Sequence, residues 1–133
     1  MTKTPTVCPF CGCGCSFSLV SQGDRVVGIE PSPLNPVNKG MLCVKGWNAY
    51  EFVSSPERLT MPLVRKQGVL VESTWNEALK IVSERLLDIK SRSGSRSLAF
   101  LSSAKVTNEE NYIFMKMARA VFGTNSVDHC ARL

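Results

Sequence analysis

Cys8, Cys11, Cys15 and Cys43 stand in a C-x2-C-x3-C-x27-C arrangement, three thiols in one short loop and a fourth from a distant turn. Four thiolates are the ligand set of a cubane iron–sulfur cluster. A loop that curls round such a cluster needs residues free to take positive φ. Cys8-Pro9-Phe10-Cys11-Gly12-Cys13-Gly14-Cys15 supplies two glycines for that purpose. Two other chemistries use the same residue type. Structural zinc usually draws on paired CxxC knuckles, whereas here one CxxC is followed by a three-residue gap and then a lone Cys43. Disulfides need an oxidising compartment, and the start Met1-Thr2-Lys3-Thr4-Pro5-Thr6-Val7 has no apolar export segment and no twin arginine. The spacing favours iron–sulfur, with zinc and disulfides as the alternatives. Cys13 reads as a bystander, because ligands on both sides leave it pointing away from the metal.

The elements that must position these thiols are short. Ser16-Phe17-Ser18-Leu19-Val20 alternates polar and apolar, Gln22-Gly23-Asp24 makes a turn, and Arg25-Val26-Val27-Gly28-Ile29-Glu30 follows as a second strand. Such a hairpin is not stable unaided, and a cluster tied to both its flanks would cross-link it. Metal binding and folding are therefore expected to be coupled here. Pro31, Pro33 and Pro36 force an extended connection, and Asn38-Lys39-Gly40 turns the chain back so that Cys43 can deliver its thiol.

Further along the period changes. Val69-Leu70-Val71 reads as a short strand. Thr74 with Glu77 makes a capping box, and Trp75, Ala78, Leu79, Val82, Leu86 and Ile89 fall on one face of a helix that Gly94 ends. Ser97-Leu98-Ala99-Phe100-Leu101 reads as a nearly continuous apolar strand of the kind parallel sheets bury on both faces. Thr107 with Glu110 opens a second helix through Phe122, closed by Gly123, and Ser126-Val127-Asp128 begins another strand. The fold class expected is α+β: a small β-rich lobe over residues 1–62, then residues 63–133 as the incomplete beginning of an open parallel α/β sheet. Two or three short strands cannot cover the apolar faces of two such helices.

Hydrophobic residues make up 44% of the 133 and charged residues 20%, the balance of a globular chain. The net charge of +5 is scattered. Its one cluster, Lys90-Ser91-Arg92-Ser93-Gly94-Ser95-Arg96, lies where a helix end favours cations, so no nucleic-acid partner is expected. Apolar runs such as Val69-Leu70-Val71 and Leu98-Ala99-Phe100-Leu101 are far too short to span a membrane. No GxGxxG or Walker loop is present. His129 is the only histidine, which excludes a His-rich metal centre within these residues; it reads as a hydrogen-bonded structural residue.

The Cys8–Cys15 segment together with Lys39-Gly40-Met41-Leu42-Cys43-Val44-Lys45-Gly46 resembles the N-terminal iron–sulfur lobe of the molybdenum or tungsten bis-pterin oxidoreductases. Two segments narrow the resemblance to formate dehydrogenase catalytic subunits. They are Ser102-Ser103-Ala104-Lys105-Val106-Thr107-Asn108-Glu109-Glu110-Asn111-Tyr112 and Gly123-Thr124-Asn125-Ser126-Val127-Asp128-His129-Cys130-Ala131-Arg132-Leu133. The likeness covers nearly the whole chain and departs at Cys13, where related sequences usually carry a non-ligating residue such as Thr.

What the resemblance implies can be carried to matching positions. Cys8, Cys11, Cys15 and Cys43 would ligate a [4Fe–4S] cluster. Lys45 would be the electron relay between that cluster and the pterin, a cation beside two anionic groups. Residues 1–62 would be the iron–sulfur domain and 63–133 the beginning of the molybdopterin-binding domain. The complete enzyme would hold bis-molybdopterin guanine dinucleotide with Mo or W. It would convert formate to carbon dioxide, or the reverse, and hand electrons to iron–sulfur or flavin subunits in the cytoplasm. In this family the segment matching Asp128–Leu133 is followed at once by the metal's protein ligand, cysteine or selenocysteine. The expectation is a front piece of a selenocysteine-containing enzyme, partnered by the remainder of its catalytic subunit and inactive alone, with Cys130 not the ligand. Nitrate reductase, formylmethanofuran dehydrogenase and a free-standing iron–sulfur carrier are the alternative readings.

Overall fold

Three antiparallel strands bracket the cysteine loop in a computed structural model that describes residues 1–130. The strands are β1 (Thr2–Val7), β2 (Ser16–Gln22) and β3 (Arg25–Pro31), in the spatial order β1-β2-β3. The expected hairpin is β2–β3, with Gln22 paired to Arg25 and Gly23 at φ +60° in the turn. A bulge at Val20/Ser21 shifts its register. Strand β1 is an addition to the sequence-based expectation. Polar Thr2, Lys3, Thr4 and Thr6 give it no apolar face, and Pro5 is tolerated because β1 lies on the sheet edge. A short helix, α1 (Val44–Trp47), follows Cys43.

The described chain divides into two compact units. One contains Met1–Arg58 and Ser102–Phe114, the other Leu59–Leu101 and Met115–Asp128. In the first, the core is Cys8, Phe17 and Ala49, with Phe10, Cys15, Leu19, Ile29 and Leu42 packed against it. Phe17 is the largest fully buried side chain. Two of the cysteines are thus part of the unit's own apolar core. Strand alternation sends Phe17 and Leu19 to one face, so β2 supplies the floor on which the cysteine loop rests.

In the second unit Val69-Leu70-Val71 is not an isolated strand. It belongs to a hairpin in which β4 (Leu63–Lys66) runs antiparallel to β5 (Val69–Glu72), from Leu63 opposite Glu72 to Lys66 opposite Val69. The two-residue connection places Gln67 at φ +50° and Gly68 at φ +85°, the requirement of a type I′ hairpin. Charged Arg65 and Lys66 break the apolar alternation, which is why the residue pattern does not reveal β4.

Helix α2 (Trp75–Ser93) begins at Thr74, whose side chain accepts the Glu77 N–H at 3.2 Å. The reciprocal half of the expected box is absent: the Glu77 carboxylate instead accepts the Ser73 hydroxyl at 2.5 Å and pairs with Lys66 at 2.7 Å. Gly94 ends the helix at φ +78°. No residue of α2 is buried; Trp75, Leu79 and Val82 are exposed and Ala78, Leu86 and Ile89 half-buried.

Strand β6 (Phe100–Ser103) starts later than expected, because Ser95–Ser97 form a 3₁₀ turn. Leu98 and Phe100 are buried but Leu101 is 78% exposed, so the segment alternates rather than being covered on both faces. Helix α3 (Asn108–Met117) opens on a complete capping box. The Thr107 N–H donates to the Glu110 carboxylate at 2.7 Å, and the Glu110 N–H donates to Thr107 Oγ1 at 3.2 Å. A π turn, Ala118–Phe122, extends it to Gly123 at φ +70°, where the expected stop falls. Strand β7 (Val127–Cys130) lies beside β6 in a two-stranded sheet, and the Phe100 N–H donates to the Ser126 carbonyl at 2.8 Å. The Phe100 and Phe122 rings meet at 5.2 Å. Ala131, Arg132 and Leu133, the last part of the segment that narrowed the resemblance, lie outside the described residues. The result is an α+β chain, β-rich at the front and alternating helix with strand after it. Among the described residues no helix is long and apolar enough to cross a membrane.

Candidate metal centre

Cys8 follows directly on β1 and Cys15 directly precedes β2, so the cysteine loop is the connection between two paired strands. Its neck is closed by the Cys8 N–H, which donates to the Cys15 carbonyl at 2.8 Å. Within the loop Gly14 sits at φ +79°, a conformation that costs an L-residue about 1–2 kcal/mol. Phe10 anchors one side, edge-on to Phe52 at 6.1 Å, and the Arg58 guanidinium lies 5.0 Å over Phe52.

Cys43 reaches the same unit by a separately braced route. Asn35 Oδ1 accepts the Val37 and Asn38 N–H groups at 2.8 and 3.1 Å, an Asx turn that starts the reversal. Lys39 at φ +45° and Gly40 at φ +80° complete it. The buried side chain of Asn38 is the fastener. Its Oδ1 accepts the Ser16 N–H at 3.0 Å and its Nδ2 donates to the Ser16 carbonyl at 3.2 Å, next to Cys15. Residue pattern places Asn38 in a turn and carries no sign of this second role. Cys43 then caps α1, where Gly46 is buried; an added Cβ there would come within 3.2 Å of Leu42.

The thiols differ in surroundings. Cys8 is buried, Cys11 and Cys15 are half-buried, and Cys13 and Cys43 are exposed; no disulfide joins any of them. Burial pushes the Cys8 thiol up, reinforced by the charges of Cys11, Cys43 and Cys13, although a backbone bond from Phe10 opposes it. Cys15 is pushed up to about 11, first by burial, then by a hydrogen bond with Cys13 and the charges of Cys13, Cys8 and Cys11. Cys43 goes the other way: the backbone N–H groups of Gly46 and Lys45 favour its thiolate, and the Lys45 cation adds to them. Cys8 thus lies within electrostatic reach of Cys11, Cys13 and Cys43, and Cys15 within reach of Cys8, Cys11 and Cys13, with Lys45 beside Cys43.

This donor set fits an iron–sulfur cluster. It is all sulfur, and burial and neighbouring thiols disfavour charge on Cys8 and Cys15 until a positive centre compensates it. Among the described residues no group of three or more His, Cys, Asp or Glu closes on one point as a single ion would require. Cys13 is not remote from the site, since its thiol shares a hydrogen bond with Cys15, but it is exposed to solvent. His129 and Cys130 lie on β7 and are exposed.

Residues 1–55 match the molybdopterin oxidoreductase Fe4S4 domain, and residues 58–133, more than half of the chain, match the molybdopterin oxidoreductase family itself. The chain belongs to the molybdopterin oxidoreductases. Cys8, Cys11, Cys13, Cys15, Cys43 and Lys45 fall in the segment matching the Fe4S4 domain, and helices α2 and α3 fall in the segment matching the molybdopterin oxidoreductase family. The cofactor classes are accordingly a [4Fe–4S] cluster and a molybdopterin. The chain is 52% identical over 130 residues to the putative formate dehydrogenase YrhE of Bacillus subtilis, covering 98% of this chain and 13% of that protein. It is 48% identical over 128 residues to the F420-dependent formate dehydrogenase subunit alpha of Methanocaldococcus jannaschii, covering 96% and 18% respectively. A putative formate dehydrogenase of Staphylococcus aureus, SAV2309, is 45% identical over 130 residues, with 98% and 13% covered. The chain thus spans less than a fifth of the length of the curated relatives it matches.

Proposed function

We propose that this chain is the cluster-carrying N-terminal portion of a formate dehydrogenase catalytic subunit. Identity of 45–52% to formate dehydrogenases over nearly all of the chain is the observation that carries the reading. When bound, the bis-molybdopterin guanine dinucleotide with its Mo or W would supply the interconversion of formate and carbon dioxide, and the [4Fe–4S] cluster the onward passage of electrons. Cys8, Cys11, Cys15 and Cys43 hold the cluster in this reading, and Cys13 does not. Burial of Cys8 in the apolar core, with half-buried Cys15 packed against it, supports a site partly shielded from water. The peptide N–H groups at Cys43 support the thiolate form that ligation needs.

Lys45 is the proposed relay between cluster and pterin. Its charge already acts on the Cys43 sulfur, and a cation at that point favours the reduced forms of anionic neighbours. Residues 1–62 serve as the iron–sulfur domain and 63–133 as the beginning of the pterin-binding domain. The remainder of the catalytic subunit and iron–sulfur or flavin electron-transfer subunits are the partners, and the cytoplasm is the compartment. Nitrate reductase and formylmethanofuran dehydrogenase activities are less well supported, because the relatives compared carry formate dehydrogenase names.

The test is anaerobic purification of the full-length protein with iron, inorganic sulfide and zinc analysis, followed by bleaching of the cluster chromophore on adding formate. Four iron and four sulfide per chain with formate-dependent bleaching is the expected result for a cubane. Stoichiometric zinc without sulfide overturns the cluster, and bleaching by another substrate but not by formate overturns the substrate.

A further inference from the structure

We infer that Asn108 is a positioning residue for the cysteine loop, an inference that rests on the cluster reading above. The Asn108 side chain donates from Nδ2 to the Gly12 carbonyl at 2.8 Å, bridging 96 positions of sequence. Gly12 lies between Cys11 and Cys13. A Cβ at Gly12 would come within 2.5 Å of Asn108 Oδ1, so the glycine is what admits the amide. Donor and carbonyl lie in the same compact unit.

The donor is held from behind. Asn108 is the first residue of α3, and the reciprocal Thr107–Glu110 box fixes that helix start. One turn on, Asn111 donates to the Ser103 carbonyl at 3.2 Å and accepts the Ser102 hydroxyl, bracing the helix against the end of β6. The contact therefore joins a fixed helix end to a loop with few bonds of its own.

Its consequence follows from peptide geometry. The Gly12 carbonyl and the Cys13 N–H belong to one planar trans unit and point in opposite directions. Holding the carbonyl fixes where that N–H dipole points within the cysteine loop. Hydrogen bonds and dipoles around the sulfurs are among the levers that set the potential and exposure of a bound cluster. Asn108 acts on the cluster through Gly12 and need not touch it.

The experiment compares wild type, Asn108→Asp, Gly12→Ala and the double variant Gly12→Ala/Asn108→Asp, as full-length protein purified without oxygen. Aspartate keeps the shape of asparagine and removes the donor; the alanine Cβ displaces the amide from the other side. Each is read by iron content, midpoint potential, the spectrum of the reduced cluster and the rate of iron loss to a chelator. Both single variants should retain iron, shift the potential and lose iron roughly two- to tenfold faster, the range of one hydrogen bond. The double variant should go no further than either single one, because both remove the same contact. An unchanged potential and release rate in Asn108→Asp, or additive effects in the double variant, overturns the inference. Wild type without iron overturns the cluster reading instead, so the two failures are distinguishable.

Discussion

The side-chain amide of Asn38 occupies both backbone hydrogen-bonding groups of Ser16, at 3.0 and 3.2 Å, as a neighbouring strand would. Ser16 follows Cys15, and Asn38 precedes Cys43 by five positions. One buried side chain thus ties the segment carrying the Cys43 thiol to the loop carrying Cys8, Cys11, Cys13 and Cys15.

Asn38→Ala should destabilise the cluster-loaded protein by about 1–3 kcal/mol: two hydrogen bonds are lost and the Ser16 N–H is left without its acceptor, while the Ser16 carbonyl keeps the Ser32 N–H at 3.2 Å. Denaturant titration under anaerobic conditions measures it. Iron content should fall as well, and a loss confined to stability with normal iron uptake would show that the tether does not serve the fourth thiol.

The cysteines can be sorted one at a time. Cys8→Ser, Cys11→Ser, Cys15→Ser and Cys43→Ser should each abolish or strongly deplete bound iron, whereas Cys13→Ser and Cys130→Ser should leave iron and sulfide at wild-type levels. Cys13 shares a hydrogen bond with Cys15 and is the informative control. Iron retained in Cys15→Ser but lost in Cys13→Ser would transfer the ligand role between them.

Lys45 should be separable from cluster binding. Its side chain is exposed and contributes no buried packing, so Lys45→Ala should keep its iron. Formate turnover should nonetheless drop by at least about tenfold, an increase of roughly 1.4 kcal/mol in the barrier. Unchanged turnover at full iron occupancy removes the relay assignment.

Glu77 gives a pH signature in the second unit. Lys66 first and Ser73 second hold its carboxyl below the ordinary value near 4.5. With the folded value depressed, the stabilising contribution is present above that ordinary value and is lost as pH falls through the lower folded one. The melting-temperature gap between wild type and Glu77→Gln should therefore be open at pH 7 and close in acid. It should also narrow in high salt, because both charged side chains are solvent-accessible. A gap that widens on acidification contradicts the assignment.

Much of the local structure is legible in the residue order. Gly23 and Gly123 mark a turn and a helix stop, and Thr107 with Glu110 marks a helix start, because each signal acts over a few residues. Strand partners are less so. Val69–Val71 reads as a strand, but its pairing with Leu63–Lys66 is hidden because charged Arg65 and Lys66 interrupt the pattern. The apolar face of α2 follows from its period, yet Trp75, Leu79 and Val82 are exposed, since period reports which residues are apolar and not what covers them.

By itself, the order of residues determined which groups are on hand: sulfur at Cys8, Cys11, Cys13, Cys15 and Cys43, a cation two residues past the last, and a glycine-bearing loop to bend between them. Those are properties of residue type and spacing, and they need no partner. Only the tertiary structure decided that Cys8 and Cys15 belong to the core, that Asn38 fastens Ser16, and that Asn108 reaches Gly12. Single polar contacts across 22 or 96 positions leave no period or motif behind, because their geometry exists only once distant backbone segments have been brought together.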